Sequence, residues 1–185
     1  ARWQPLDGYS MSVGRYAVFL RAINVGRRRM KMADLSSAFV EAGFEEVSTF
    51  LASGNLVLGS GTRPDSETIS RVVFDAFGFR SEAFIRSADE VSSIIDRNPW
   101  PGPEALVEVS FLEWDAEQEG ARSLEATVRS PEELVVSGSE VYFLRAGKGI
   151  ETTHKEATTA RELGQITTRR GMRTVRDLHS KFLAG

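Results

Sequence analysis

The sequence predicts an α+β fold of two halves: a ferredoxin-like β-α-β-β-α-β unit first, a related second half after it, and a C-terminal helix closing the whole. Three observations carry this. Apolar periodicity alternates between the strand and helix repeats in one order from Tyr16 to Arg86, and the same order recurs from Leu106 to Thr168. A Pro-rich break, NPWPGP at Asn98 to Pro103, separates the two runs.

In the first run, Tyr16 to Ala22 is β-rich and apolar and reads as a central strand. Met32 to Ala42 spaces Leu35 and Phe39 one helical turn apart, and Gly43 follows where a C-cap falls. Val47 to Leu51 and Asn55 to Leu58 form a hairpin around Ala52, Ser53 and Gly54. Asp65 or Ser66 caps a helix through Ile69, Val72, Val73, Ala76 and Phe77, which Gly78 ends. Glu82 to Arg86 alternates as a half-buried strand. Ser87 or Asp89 then opens a short helix through Val91, Ile94 and Ile95, stopped by Asn98-Pro99.

In the second run, Leu106 to Leu112 alternates as a strand, and Ala116 to Val128 is a helix weakened by Gly120. Leu134 to Val136 and Val141 to Leu144 form a hairpin around Ser137-Gly138. Thr153 or His154 to Leu163 is helical, and Ile166 to Thr168 is a brief strand. Thr174 caps a closing helix with Val175, Leu178 and Phe182 on one face. Repetition of order without repetition of residues leaves duplication and chance recurrence of a common motif equally open. Residues 1–12 read as a leader or tag-like arm, 13–98 as the first half and 99–185 as the second. The halves are expected to share a sheet or abut sheet edges as one unit.

Composition narrows the function classes. The 185 residues include no cysteine, so disulfides, thiol nucleophiles and Cys-held metals are excluded, and a cytoplasmic setting is expected. No apolar run approaches the roughly 20 residues of a membrane span. A net charge of −3 argues against a nucleic-acid partner. Charge is unevenly spread: Arg15 to Lys31 holds six bases and no acid, while Glu104 to Glu133 holds nine acids against Arg122 and Arg129. The two histidines, His154 and His179, have no second ligand at metal spacing, so no metal site is expected. No G-x-S-x-G elbow, P-loop or dinucleotide fingerprint is present.

Candidate site residues gather at loop mouths. Alternation along the first strand places Phe19, Arg21 and Ile23 on one face, which gives Arg21 either a ligand pocket or a buried ion pair. Asn24 and Gly26 end that strand and lead into the basic run Arg27 to Arg29, suited to an anion or to solvation. Ser53, Gly54 and Asn55 form a polar hairpin tip whose simplest role is turn chemistry. TTRRGMRT, Thr167 to Thr174, reads as a loop of hydroxyls and guanidinium groups before a helix N-terminus, with Arg169 at its centre. Glu132-Glu133 reads as a solvated turn, and Trp100, Tyr142 and Phe143 as core.

Taken together, FLRAINVG at Phe19 to Gly26, SGN at Ser53 to Asn55, the Asn98-Pro99 break, Gly149-Ile150 and the TTR of Thr167 to Arg169 resemble one family. It is the bacterial domain of unknown function 1697, whose first motif reads L-R-G-I-N-V-G. The resemblance implies an α+β structure with two related halves. It also makes Arg21, Asn24, Gly26, Ser53, Gly54, Asn55 and Arg169 motif positions. Three departures stand out: Ala22 replaces the family's glycine, Arg170-Gly171 replaces Asn-Trp, and the expected Ser-Lys near Thr153-His154 is absent.

The reading that unites these residues is a pocket for a small anionic or phosphorylated ligand between the halves. Arg21 and Arg169 would supply charge, Asn24 and Asn55 hydrogen bonds, and Gly26 and Gly54 close backbone approach. An RNA-binding ferredoxin-like module and a protein-interaction module, its acidic middle meeting a basic end of a second copy, are the alternatives. Cofactor, reaction and oligomeric state are left open.

Overall fold

The structure, a computed structural model, describes residues 13–24, 30–102 and 104–184. Strand β1 (Gly14–Leu20) is central because its neighbours cover both edges, and its last four residues are buried. Helix α1 (Met32–Glu41) turns Leu35 and Phe39 inward, as their spacing predicts. The hairpin β2 (Glu45–Phe50) and β3 (Asn55–Ser60) follows. Helix α2 (Ser66–Phe77) starts where the Asp65 carboxylate accepts the Thr68 N–H and stops at Gly78, whose φ of 76° suits glycine. After β4 (Ala83–Ser87), a capping box between Ser87 and Glu90 starts α3 (Ala88–Asp96).

The second half begins with a short 3-10 turn, Glu104–Leu106, and β5 (Val107–Phe111). Helix α4 (Gln118–Glu125) and the hairpin β6 (Glu133–Ser137) and β7 (Glu140–Leu144) come next. Helix α5 (Glu156–Leu163), β8 (Thr168–Gly171) and α6 (Met172–Leu178) complete it, with a wide π turn over His179–Leu183.

Each half forms its own four-stranded antiparallel sheet, in the order β2-β3-β1-β4 and β6-β7-β5-β8. The halves neither share a sheet nor abut edges, which corrects that expectation. They pack face to face instead, because each central strand is apolar on both sides. Ala17, Phe19, Val57 and Phe84 of the first sheet meet Val109, Phe111 and Tyr142 of the second, with α3 and α6 filling the same layer. The Phe19 and Phe111 rings stack at its centre, 4.1 Å apart and 9° from parallel. The opposite face of the first sheet packs under α1 and α2, and that of the second against Leu124 of α4 and Leu163 of α5. The inner sheet faces, where RNA-binding ferredoxin-like sheets stack bases, are thus inside the core.

The registers of the central strands with their neighbours correspond between the halves, while a bulge between Glu45 and Ser48 interrupts β2–β3 and has no counterpart in β6–β7. Phe19 pairs with Asn55 as Phe111 pairs with Glu140, and Ala17 pairs with Arg86 as Val109 pairs with Arg170. Such agreement is what a duplicated unit yields, and residue identity hides it because few matched positions keep their types, Phe19/Phe111 and Arg86/Arg170 among them.

Several local expectations are corrected. Strand β1 ends at Leu20 because Ala22 adopts φ 56°, so alternation stops. Ile23 therefore joins Leu20 under the helices and does not share the Phe19 face. Thr168 to Gly171 is a strand, not a loop, and α6 starts at Met172 with Gly171 at the cap; Thr174 is inside the helix. Helix α5 starts at Glu156, beyond Thr153 and His154, and α4 is shorter than 116–128. Glu132 is buried rather than solvated, accepting hydrogen bonds from the Thr153 N–H and hydroxyl.

Candidate functional site

A cleft of about 760 Å³ opens between the end of β1, the β2–β3 tip, the start of α5 and β8. That size falls in the range of roughly 300–1,000 Å³ typical of small-molecule sites. Arg21, Asn24, Ser53 and Arg169 line it, joined by Arg170, Thr167, Thr168 and Glu156. Gly54 and Asn55 stand behind the wall, and Gly26 lies outside the described residues.

The side chain that organises the cleft is Arg170. Residue alternation along β8 turns it to the inner layer, where it is 8% exposed and lies over the Phe19 ring. Its Nε donates to Asn55 Oδ1 at 2.5 Å, and its Nη2 donates to the Leu20 and Ser53 carbonyls at 2.7 and 2.8 Å. Nη1 donates to Thr168 Oγ1 and to the Arg169 carbonyl. All five N–H donors are thereby used, and every acceptor is neutral. Burial pushes its pKa down to about 10, opposed by the Glu156 charge, so the guanidinium stays charged at neutral pH.

Asn55 is fixed from its other side, since its Nδ2 donates to the Phe50 carbonyl and to Ser53 Oγ. The Ser53-Gly54-Asn55 tip is therefore a receptor for Arg170 as well as a turn. Gly54 holds φ 81°, and a Cβ there would come 2.9 Å from Ile23 Cδ1, so only glycine fits. Asn24 is a staple: its Oδ1 accepts the Met30 N–H at 2.7 Å and its Nδ2 donates to the Ala52 carbonyl at 2.8 Å. These two asparagines serve the walls of the cleft.

Among the described residues, Arg21 and Arg169 each retain N–H groups without a hydrogen-bond partner, although Arg169 donates once from each of its three nitrogens, Nη2 reaching Thr159 Oγ1 at 3.5 Å. Arg21 is half-exposed, and one of its terminal nitrogens meets Glu82 at 3.4 Å. Arg169 faces away from the inner layer, pairing with Glu108 at 3.2 Å, donating to Ser110 Oγ and lying over the Phe143 ring. Beside it, His154 is buried against Phe143 with its Nε2 2.9 Å from Thr159 Oγ1. Burial and then the Arg169 charge lower the His154 pKa from 6.5 to about 4. The folded chain thus refuses a proton that the unfolded chain accepts below about pH 6.5. Stability falls as pH drops through that window. The lowered carboxyls of Asp65, Glu90 and Glu132 add their own losses at lower pH. His154→Gln is expected to flatten the decline in urea midpoint between pH 6.5 and 5; an unchanged slope would contradict this.

Arg170 carries a signal that the sequence offers only in register. AFIRS in β4 and TTRRG in β8 place an arginine at the same point of the fourth strand in each unit. Its counterpart, Arg86, donates through Nε to Glu140 at 2.9 Å and through Nη2 to the Leu112 and Ser139 carbonyls. Glu140 also meets Arg97 at 3.2 Å. Each half thus clasps the other's hairpin tip with one buried arginine. Only Arg86 has a carboxylate partner.

Residues 13–142, more than half of the chain, match the family described as Protein of unknown function (DUF1697). The chain belongs to that family. Among solved structures, the conserved bacterial protein SP0830 from Streptococcus pneumoniae resembles this DUF1697 chain with a TM-score of 0.64. The two are 20% identical, over 92% of this chain and 99% of that one, a likeness that shows the fold alone. No curated protein matches.

The left-handed backbone at Ala22 gives a reason for the glycine of the DUF1697 motif. A Cβ in that region costs on the order of 1 kcal/mol. Ala22→Gly is expected to raise stability by about 0.5–1 kcal/mol, read from the urea midpoint; a loss would show that the methyl contacts matter more. Among the described residues, no three His, Asp or Glu side chains gather as a metal site, and no helix is long and apolar enough to cross a membrane.

Proposed function

We propose that this protein binds a small anionic ligand, a carboxylate or phosphorylated metabolite, in the cleft between its halves. The observation that carries this is the charge of Arg170, buried on the cleft wall with only neutral acceptors around it. A buried cation held only by neutral hydrogen-bond acceptors raises the local potential, which the Glu156 charge offsets only in part because desolvation outweighs it, and an anion entering the cleft lowers that energy. Since Arg170 has no donor to spare, the ligand feels its field, while direct hydrogen bonds come from the half-exposed Arg21 and from the second N–H on each terminal nitrogen of Arg169. The apolar part of the wall, Leu20, Ile23 and Leu51, accommodates the rest of the molecule.

A thermal-shift series with inorganic phosphate, nucleotides and simple carboxylates tests this. Wild type is expected to be stabilised in a saturable way by at least one of these anions, and Arg21→Ala to remove the effect without lowering the unliganded melting temperature by much, because Arg21 lies at the surface. No saturable shift with any of them, or shifts that Arg21→Ala leaves intact, would defeat the proposal.

A further inference from the structure

Resting on the anion-binding reading, we infer that the ligand is a small zwitterion of amino-acid or short-peptide type, its anionic group toward the arginine wall and its cationic group toward Glu156. Two opposite charges line this one cleft, Arg170 and Glu156, and among the described residues neither makes a direct ion pair, although each acts on the other through space. Arg170 has neutral acceptors only. Glu156 lines the same cleft, and among the described residues it accepts one hydrogen bond, from Thr167 Oγ1 to one carboxylate oxygen at 3.1 Å, with the second oxygen unengaged by them. The other two lining charges are already balanced, Arg21 by Glu82 and Arg169 by Glu108.

The opposite end of the molecule shows what the same architecture does where the charges are satisfied internally. There Glu140 sits between Arg86 and Arg97, the space beside them is only about 220 Å³, and every lining arginine has a carboxylate in reach. The larger cleft lacks that internal carboxylate because Asn55 stands at the position equivalent to Glu140. It adds instead a carboxylate on the facing helix. A molecule with one negative and one positive end meets both of these charges at once, whereas a polyphosphate would place its several charges against Glu156. Leu51, more than half exposed at the rim, and Ala157 and Ala160 across from it suit an apolar side chain on the same molecule.

Titration calorimetry with leucine and leucyl-leucine, each compared with its N-acetylated form, tests the inference, because acetylation removes the cation and keeps the carboxylate. The free-amino forms are expected to bind wild type about five-fold more tightly or better, the size of a modest charge pair. Glu156→Gln keeps the acceptor for Thr167 and is expected to abolish that preference. If the acetylated forms bind equally or better, or Glu156→Gln leaves the preference unchanged, the zwitterion inference is overturned, while Arg21-dependent binding of phosphate or carboxylate would still support the anion site. Absence of binding by all these probes and by the anions overturns both.

Discussion

Arg170→Met is expected to lower the melting temperature by about 6–20 °C, corresponding to about 3–5 kcal/mol in a chain of this size. Methionine fills much of the volume over Phe19 but donates nothing, so Asn55 Oδ1 and the Leu20 and Ser53 carbonyls lose their partner together. A buried acceptor without a donor costs about 1–3 kcal/mol, and relaxation keeps the sum below three times that. Since these acceptors belong to one half and the arginine to the other, the loss falls on the contact between the halves. Arg173→Met, at an exposed position of the following helix, is the control and is expected to change stability by less than about 0.5 kcal/mol. Equal effects of the two substitutions would show that the clasp is dispensable.

The counterpart substitution, Glu140→Ala, is expected to cost about 3–5 kcal/mol for a different reason. Arg86 and Glu140 are both buried, and removing the carboxylate takes away the direct ion-pair partner of Arg86 and Arg97 together, leaving Arg86 only the more distant charge of Glu90. Glu140→Gln is expected to cost less, because the amide oxygen can still accept from Arg86 Nε and Ser139 Oγ, which share one carboxylate oxygen of Glu140. Chemical denaturation with both variants separates the charge from the hydrogen bond: equal losses would place the whole effect in the charge.

How much of this was legible in the sequence follows from the range of each interaction. Asp65, Gly78, Ser87 and Glu90 bound their helices through contacts within four residues, so α2 and α3 fall where the caps and periodicity place them. Leu35 and Phe39 declare the buried face of α1 in the same way. The end of β1 was not legible, because nothing in an alanine announces a left-handed backbone; the family's glycine at that position was the available hint. The last strand was misplaced for a related reason. Ile166 looked like strand and Arg169-Arg170 like loop, yet Ile166 is exposed and the two arginines alternate across β8, one to each face.

The candidate site shows the same division. Arg21, Asn24, Ser53 and Arg169 do line one cleft, and the loop mouths that held them were visible as polar residues after apolar runs. Their position after apolar runs suggests Asn24 and Asn55 for hydrogen bonds to a ligand, while the structure directs those bonds to Met30, Ala52, Phe50 and Arg170.

By itself the sequence determined the element types, their order in two β-α-β-β-α-β units and the helix boundaries set by caps, since these depend on neighbours a few residues apart. Only the tertiary structure decided that the sheets face one another and that Arg170 closes on Asn55. Those residues are 115 positions apart, and an interaction at that distance leaves no periodic or local trace in the chain. The same packing placed Glu156 and an arginine held only by neutral acceptors in one cleft, which no inspection of charge along the sequence could bring together.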